Sequence, residues 1–149
     1  DAQESRGLGD VYKRQILNGS FIFAADLMRE IELSAQISFV KLASYVGTSS
    51  TGSVCEMIGL NVDISGRDVV VVEDIVDSGL TMKYVTEMLA KYNPRSISIC
   101  TLLLKPGNLK VDLDIPYKCF SIPNDFILGY GLDYDGYGRN TRDIYTVVE

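Results

Sequence analysis

The chain has 149 residues, enough for one α/β domain with a proper core and too few for two. Its net charge of −6, with no basic stripe, argues against nucleic acid as a partner, and no apolar run approaches membrane-spanning length, which argues against a membrane. Histidine is absent, so any acid–base step must use Asp, Glu, Lys or Tyr, and Ser-His and Cys-His schemes are excluded. Cys55, Cys100 and Cys119 are an odd number without CxxC spacing. They fit the reduced thiols of a cytoplasmic protein and speak against a zinc site or a disulfide framework, while the N-terminus lacks the apolar core of a signal peptide.

Residues 1–15 are polar and follow neither the helical nor the strand period, so irregular chain is expected, or at most a poor strand around Val11 to Leu17. The expected organisation is an atypical N-terminal segment over 1–15, foreign or truncated in character, and one domain over 16–149. Asn18-Gly19-Ser20 reads as a turn and N-cap before a helix over Phe21 to Ile31, with Phe21, Ala24, Ala25, Met28 and Ile31 along one side. Ile37 to Leu42 (ISFVKL) reads as a strand ending at Ser44-Tyr45. The Gly/Ser/Thr tract of Val46 to Ser53 fits a flexible loop or a lid that closes over a reacting centre. Val54 to Val62 reads as the returning strand of an antiparallel arm, and Ser65-Gly66 as a turn.

The most informative stretch is Val69 to Thr81, VVVVEDIVDSGLT. Its run of valines is expected for a strand buried on both faces, with Glu73 and Asp74 where that strand emerges from the sheet. Asp77-Ser78-Gly79 makes a turn, and Thr81 opens a helix with Met82, Val85, Met88 and Leu89 on one face, stopped by Asn93-Pro94. Ligands of open α/β sheets bind outside the carboxyl ends of the strands, which puts a site here. Ser78, Gly79 and Thr81 offer hydroxyls and backbone N–H groups at a helix N-terminus, an anion cradle. Glu73 and Asp74 would repel a bare polyphosphate, but they suit sugar hydroxyls if a divalent cation offsets the charge. A ribose phosphate satisfies both demands; an ordinary βα turn with solvated acids is the plainer alternative.

Further on, Ser96 to Leu104 (SISICTLLL) reads as a second buried strand, ending at Lys105-Pro106-Gly107. Lys105 is either a solvated loop residue or, at this carboxyl edge, a group aimed into the site. Tyr117 to Ile122 is a short strand, and Pro123 to Tyr134 an aromatic stretch in which Tyr130 and Tyr134 read as packing residues. Asp135-Gly136-Tyr137-Gly138-Arg139 is a Gly-rich loop, and Ile144 to Val148 a final strand.

Glu73-Asp74-Ile75-Val76-Asp77-Ser78-Gly79-Leu80-Thr81 resembles the phosphoribosyl-diphosphate (PRPP) motif of type I phosphoribosyltransferases. From about Ile16 to Val148 the chain is similar to the hypoxanthine-guanine phosphoribosyltransferases, particularly the bacterial ones. The resemblance implies an α/β fold: a mostly parallel twisted sheet flanked by helices, with a small antiparallel arm and a mobile lid at Ser44-Tyr45. It implies transfer of a phosphoribosyl group from PRPP to a 6-oxopurine in purine salvage, with Mg2+ as cofactor and a homodimer or homotetramer as the assembly. Glu73 and Asp74 would meet the ribose hydroxyls, and Asp77, Ser78, Gly79, Leu80 and Thr81 the 5-phosphate. Asp77 would also be the acid–base residue. Asn18 and Gly19, in a loop Leu17-Asn18-Gly19 containing a non-proline cis peptide, would hold the diphosphate together with Arg139. Many relatives have Lys where Asn18 stands.

For the base, the resemblance puts Lys105 against the exocyclic oxygen, Phe126 in a stack on the ring, and backbone groups of Ile127 and Asp133 at its edge. An ammonium has donors only, so Lys105 would favour the acceptor O6 of hypoxanthine or guanine and reject the amino group of adenine. Asp133 would join Glu73 and Asp74 as a magnesium ligand. A phosphoribosyltransferase for another base, a PRPP- or nucleotide-sensing regulator and an inactive protein remain as alternatives. Binding without turnover would mark the regulator.

Overall fold

The structure, a computed structural model, describes residues 13–14, 17–46 and 53–148. The expectations for the rest of the first 16 residues and for the tract 47–52 lie outside the described residues. The elements run β1 (Lys13–Arg14), α1 (Leu17–Glu30), β2 (Lys41–Val46), β3 (Ser53–Ile58), β4 (Asp68–Val76), α2 (Leu80–Ala90), β5 (Ser96–Leu104), a 3-10 turn (Pro106–Asn108), β6 (Tyr117–Ser121), β7 (Ile127–Leu128) and β8 (Tyr145–Thr146). Among the described residues β4, β5 and β6 form a three-stranded parallel sheet, β1, β2 and β3 an antiparallel one, and β7 pairs with β8.

The parallel sheet carries the core on both faces, as its continuous apolar strands require. On one side Met82, Val85 and Leu89 of α2 pack with Val71, Val76, Ile99 and Leu104. Each such buried side chain contributes about 1.5–3 kcal/mol relative to exposure. On the other side Phe23 of α1 packs with Cys100, Leu102 and Leu103, and Leu27, Val72 and Ile75 join them. α2 stops where Asn93 takes the left-handed conformation (φ 57) ahead of Pro94, and Gly66 (φ 72) turns the chain into β4.

Several boundaries differ from the sequence expectations. α1 begins at Leu17, so Asn18-Gly19-Ser20 forms its first turn rather than a preceding loop. No cis peptide bond is present among the described residues, in contrast to the one expected at Leu17-Asn18-Gly19. The buried stripe of α1 runs through Ser20, Phe23 and Ala24, the face that packs on the sheet, and leaves Phe21 exposed. In the arm, β2 starts at Lys41 and β3 ends at Ile58, and residues 31–40 form neither helix nor strand. β4 does not end at the valines but continues through Glu73 and Asp74 to Val76. Pairing with β5 runs from Asp68 with Ser96 to Glu73 with Thr101 and resumes at Ile75 with Leu103.

Candidate active site

The interruption in the β4 ladder falls on Asp74, the second of the two acids. The Asp74 N–H donates to Glu73 Oε1 at 2.9 Å, and the Ile75 N–H to Asp74 Oδ1 at 2.7 Å. Each carboxylate thus folds back onto the next backbone amide, which lets two acids occupy the otherwise apolar run Val69 to Val76. Glu73 is buried, and burial, with the adjacent Asp74 carboxyl as the second cause, pushes its carboxyl group well above the usual range. Asp74 is half-buried and lies against α1: a Cβ on Gly19 would stand 1.6 Å from Asp74 Oδ2. Glycine at 19 therefore leaves the room that Asp74 fills.

After Val76 the chain turns through Asp77, Ser78 and Gly79 into α2. Gly79 has φ 86, and a Cβ there would meet Leu113 Cδ1 and Val111 Cγ2 at 2.9 Å, so both conformation and space require glycine. The Leu80 N–H donates to Ser78 Oγ at 3.3 Å. The first-turn amides that follow, including that of half-buried Thr81, point out of the helix N-terminus as its unpaired donors do in general.

The neighbouring strand end supplies the cation. Lys105 follows β5 directly and is buried; its Nζ lies 3.6 Å from Asp77 Oδ2, whose side chain is half exposed. Asn108, in the 3-10 turn after Lys105, donates Nδ2–H to Asp77 Oδ1 at 2.8 Å. The parallel register that sets Val76 beside Leu104 brings these residues together.

The third wall is the loop after β7. Gly131 packs so closely on α1 that a Cβ would stand 2.4 Å from Gly19 O. Arg139 donates from Nη1 to Gly131 O at 2.7 Å and pairs through Nη2 with Asp133 Oδ1 at 3.3 Å, while Asp133 Oδ2 accepts the Gly136 N–H at 2.8 Å. Tyr130 (φ 50) hydrogen-bonds through its hydroxyl to Asp26 of α1, and burial plus that carboxylate push its phenol up to about 12. Gly19, Asp74, Gly131, Asp133 and Arg139 thus form one connected chain of contacts, and Asp77, Lys105 and Asn108 a second on the adjacent strand ends.

The remaining expected site residues stand as follows. Phe126 is exposed and packs edge-on against Tyr134, with ring centroids 5.8 Å apart; Ile127 is half-buried in β7. Of the two residues read as packing residues, Tyr134 is exposed and packs against Phe126, whereas Tyr130 packs against the core beside α1. Ser44 and Tyr45 lie on β2, paired with Cys55 and Val54, and the proposed lid tract beyond them is outside the described residues. Leu80 is exposed at the start of α2. Among the described residues no three His, Cys, Asp or Glu side chains are grouped so as to hold a metal, so Glu73, Asp74 and Asp133 do not form a ready-made cage. Sequence reading missed Asn108 and Asp26; only an amide one turn past Lys105, and an acid on the opposite face of α1 from its apolar stripe, could have flagged them.

The phosphoribosyl transferase domain family matches residues 16–135. A hypoxanthine-guanine phosphoribosyltransferase of Mycobacterium tuberculosis (strain CDC 1551 / Oshkosh) is 45% identical over 139 residues, covering 93% of this chain and 69% of that protein. The chain thus spans about two thirds of the length of such curated relatives. A crystal structure of a Bacillus anthracis hypoxanthine-guanine phosphoribosyltransferase, with a HEPES molecule in its active site, superposes with TM-score 0.80 at 42% identity, over 89% of this chain and 78% of that one. The Trypanosoma cruzi hypoxanthine phosphoribosyltransferase in complex with its product IMP gives TM-score 0.77 at 34% identity, over 90% and 72%. With the parallel sheet, the turn and the matched range in agreement, this chain belongs to the phosphoribosyltransferase family, among the hypoxanthine-guanine phosphoribosyltransferases.

Proposed function

We propose that the chain transfers the 5-phosphoribosyl group of PRPP to N9 of hypoxanthine or guanine, giving IMP or GMP and diphosphate. The observation that carries this reading is the meeting of Asp77 and Lys105 at 3.6 Å on adjacent strand ends, beside a glycine-tight turn that opens α2. In the reaction the bond from C1′ to the diphosphate oxygen breaks, its electron pair leaving with diphosphate, and a nitrogen lone pair of the base closes on C1′. The base must lose a ring proton as this happens.

Asp77 takes that proton from N7; such a transfer contributes roughly a hundredfold to ten-thousandfold. Lys105, buried with its Nζ 3.6 Å from Asp77 Oδ2, donates to O6. The α2 N-terminus, with Ser78, Gly79, Leu80 and Thr81, holds the 5-phosphate and supplies binding energy remote from the reacting carbon. Glu73 and Asp74 orient the ribose hydroxyls. Asn18, Gly19 and Arg139 lie towards the diphosphate, and Phe126, with the backbone of Ile127 and Asp133, towards the base.

Magnesium fits this site in its donor chemistry: Glu73, Asp74 and Asp133 offer hard carboxylate oxygens, and the ion is commonly held by one or two carboxylates together with substrate phosphates. When bound it would neutralise charge on the departing diphosphate. Exposed Leu33, Ile37 and Phe39, beside the arm, support a homodimer or homotetramer, which light scattering would test. No described helix is long and apolar enough to cross a membrane. The decisive assay is PRPP-dependent nucleotide formation from hypoxanthine, with and without magnesium. Product only with both PRPP and the ion supports the reading, and tight PRPP binding without turnover rejects it in favour of a regulator.

A further inference from the structure

Asp77 is gripped by a residue that the reaction scheme above leaves unused. Asn108 Nδ2–H donates to Asp77 Oδ1 at 2.8 Å, and two backbone hydrogen bonds bracket that contact. The Lys105 N–H donates to Val76 O at 2.9 Å on one side, and the Lys110 N–H to Ser78 O at 2.8 Å on the other. The chain flanking Asn108 is therefore pinned to the chain flanking Asp77. Pro106 sets the first φ of the turn, and the Asn108 N–H closes it on Lys105 O at 3.1 Å. With both backbones fixed, the amide reaches the carboxylate after little further loss of conformational freedom.

The two oxygens of Asp77 are thereby made unequal. Oδ1 accepts from Asn108, while Oδ2 faces Lys105 Nζ. We propose that Asn108 is a positioning residue for proton transfer: its amide occupies Oδ1, fixes the carboxylate plane, and leaves Oδ2 to meet the base. This rests on the reading of Asp77 as the acid–base group. Among the described residues Lys105 is the charged side chain within ion-pair distance of Asp77. Lys110 and Asp112, on the segment packed over the turn, make no ion pair with it, and Glu73 and Asp74 on β4 accept from backbone amides of their own strand.

Steady-state kinetics on wild type, Asn108→Ala, Asn108→Asp, Asp77→Asn and the double variant Asp77→Asn/Asn108→Ala tests this. For Asn108→Ala, kcat at neutral pH is expected to fall about 3–10-fold with KM for PRPP within about twofold. Asn108→Asp keeps the shape but sets one acceptor against another, so kcat falls further; this variant carries the test if Asn108→Ala does not fold. The double variant should be no slower than Asp77→Asn alone. An unchanged kcat in both Asn108 variants while Asp77→Asn is slow, or an additive loss in the double variant, overturns the inference alone. Wild-type turnover by Asp77→Asn overturns the reading of Asp77 and the inference with it.

Discussion

The stretch from Val76 to Lys110 and the loop from Gly129 to Arg139 both carry proposed substrate contacts, yet different forces hold them. The first is anchored by packing: α2 buries Met82, Val85 and Leu89 against the sheet, and backbone hydrogen bonds tie the strand ends together. The second is a run of special backbone conformations, with Gly129, Tyr130, Gly131, Asp135, Gly136 and Gly138 all at positive φ, held by internal hydrogen bonds and the Asp133–Arg139 pair. A packed strand end gives the chemistry a rigid reference. A glycine-rich loop lets the backbone come close to a neighbour, here Gly19, at a larger conformational cost on folding.

Substitutions should separate the two regions. The largest effect is expected from Asp77→Asn in the anchored half: kcat falls about 10²–10⁴-fold while substrate affinity changes little, and a single-turnover measurement with saturating PRPP checks it. Lys105→Gln should lower kcat/KM for hypoxanthine by ~10–100-fold and narrow the preference over adenine, since a charged donor is lost. An unchanged base preference in a competition assay would remove Lys105 from recognition.

In the loop half, Gly131→Ala introduces both a strained φ and a clash with Gly19 O, so a loss of about 2–4 kcal/mol in a denaturant titration is expected. A stability unchanged from wild type would mean that the loop does not rest on α1.

Glu73→Gln probes the buried acid. The folded state holds the Glu73 carboxyl above its unfolded range, so its contribution is fully present below the unfolded value and is lost as pH rises through the folded one. The variant, neutral at every pH, should therefore melt higher than wild type at alkaline pH, and the gap should close towards acid. The smallest effect belongs to exposed Arg95, whose guanidinium and the Ser96 hydroxyl hold the Asp68 carboxyl well below its usual range. Its pairing adds stability only above the unfolded carboxylate range, lost on acidification, and Arg95→Ala should barely move the melt at neutral pH in moderate salt.

The anchored half was largely legible in the sequence. Ser96 to Leu104 is the strand its apolar run indicates, and Asn93-Pro94 ends α2 as proline chemistry requires. The error there was to end β4 at the valines. Charged side chains look foreign to a buried strand until their carboxylates are seen satisfying the amides of Asp74 and Ile75. The start of α1 misled for a related reason: Gly19 weakens the helical pattern, yet it is needed because Asp74 fills its Cβ space. The loop half was far less legible. Glycine density announces irregular backbone without saying where it goes, and the contacts of Tyr130 with Asp26 and of Arg139 with Gly131 depend on tertiary packing alone.

The hydroxyl of Tyr130 meets a helix 104 positions earlier in the chain. The 129–139 segment has hydrogen bonds of its own, but it joins the core only where it docks on α1 and the face of the parallel sheet beside it. Contacts so distant in sequence close slowly. The wall that this segment adds to the cleft should thus be among the later parts of the fold to be completed.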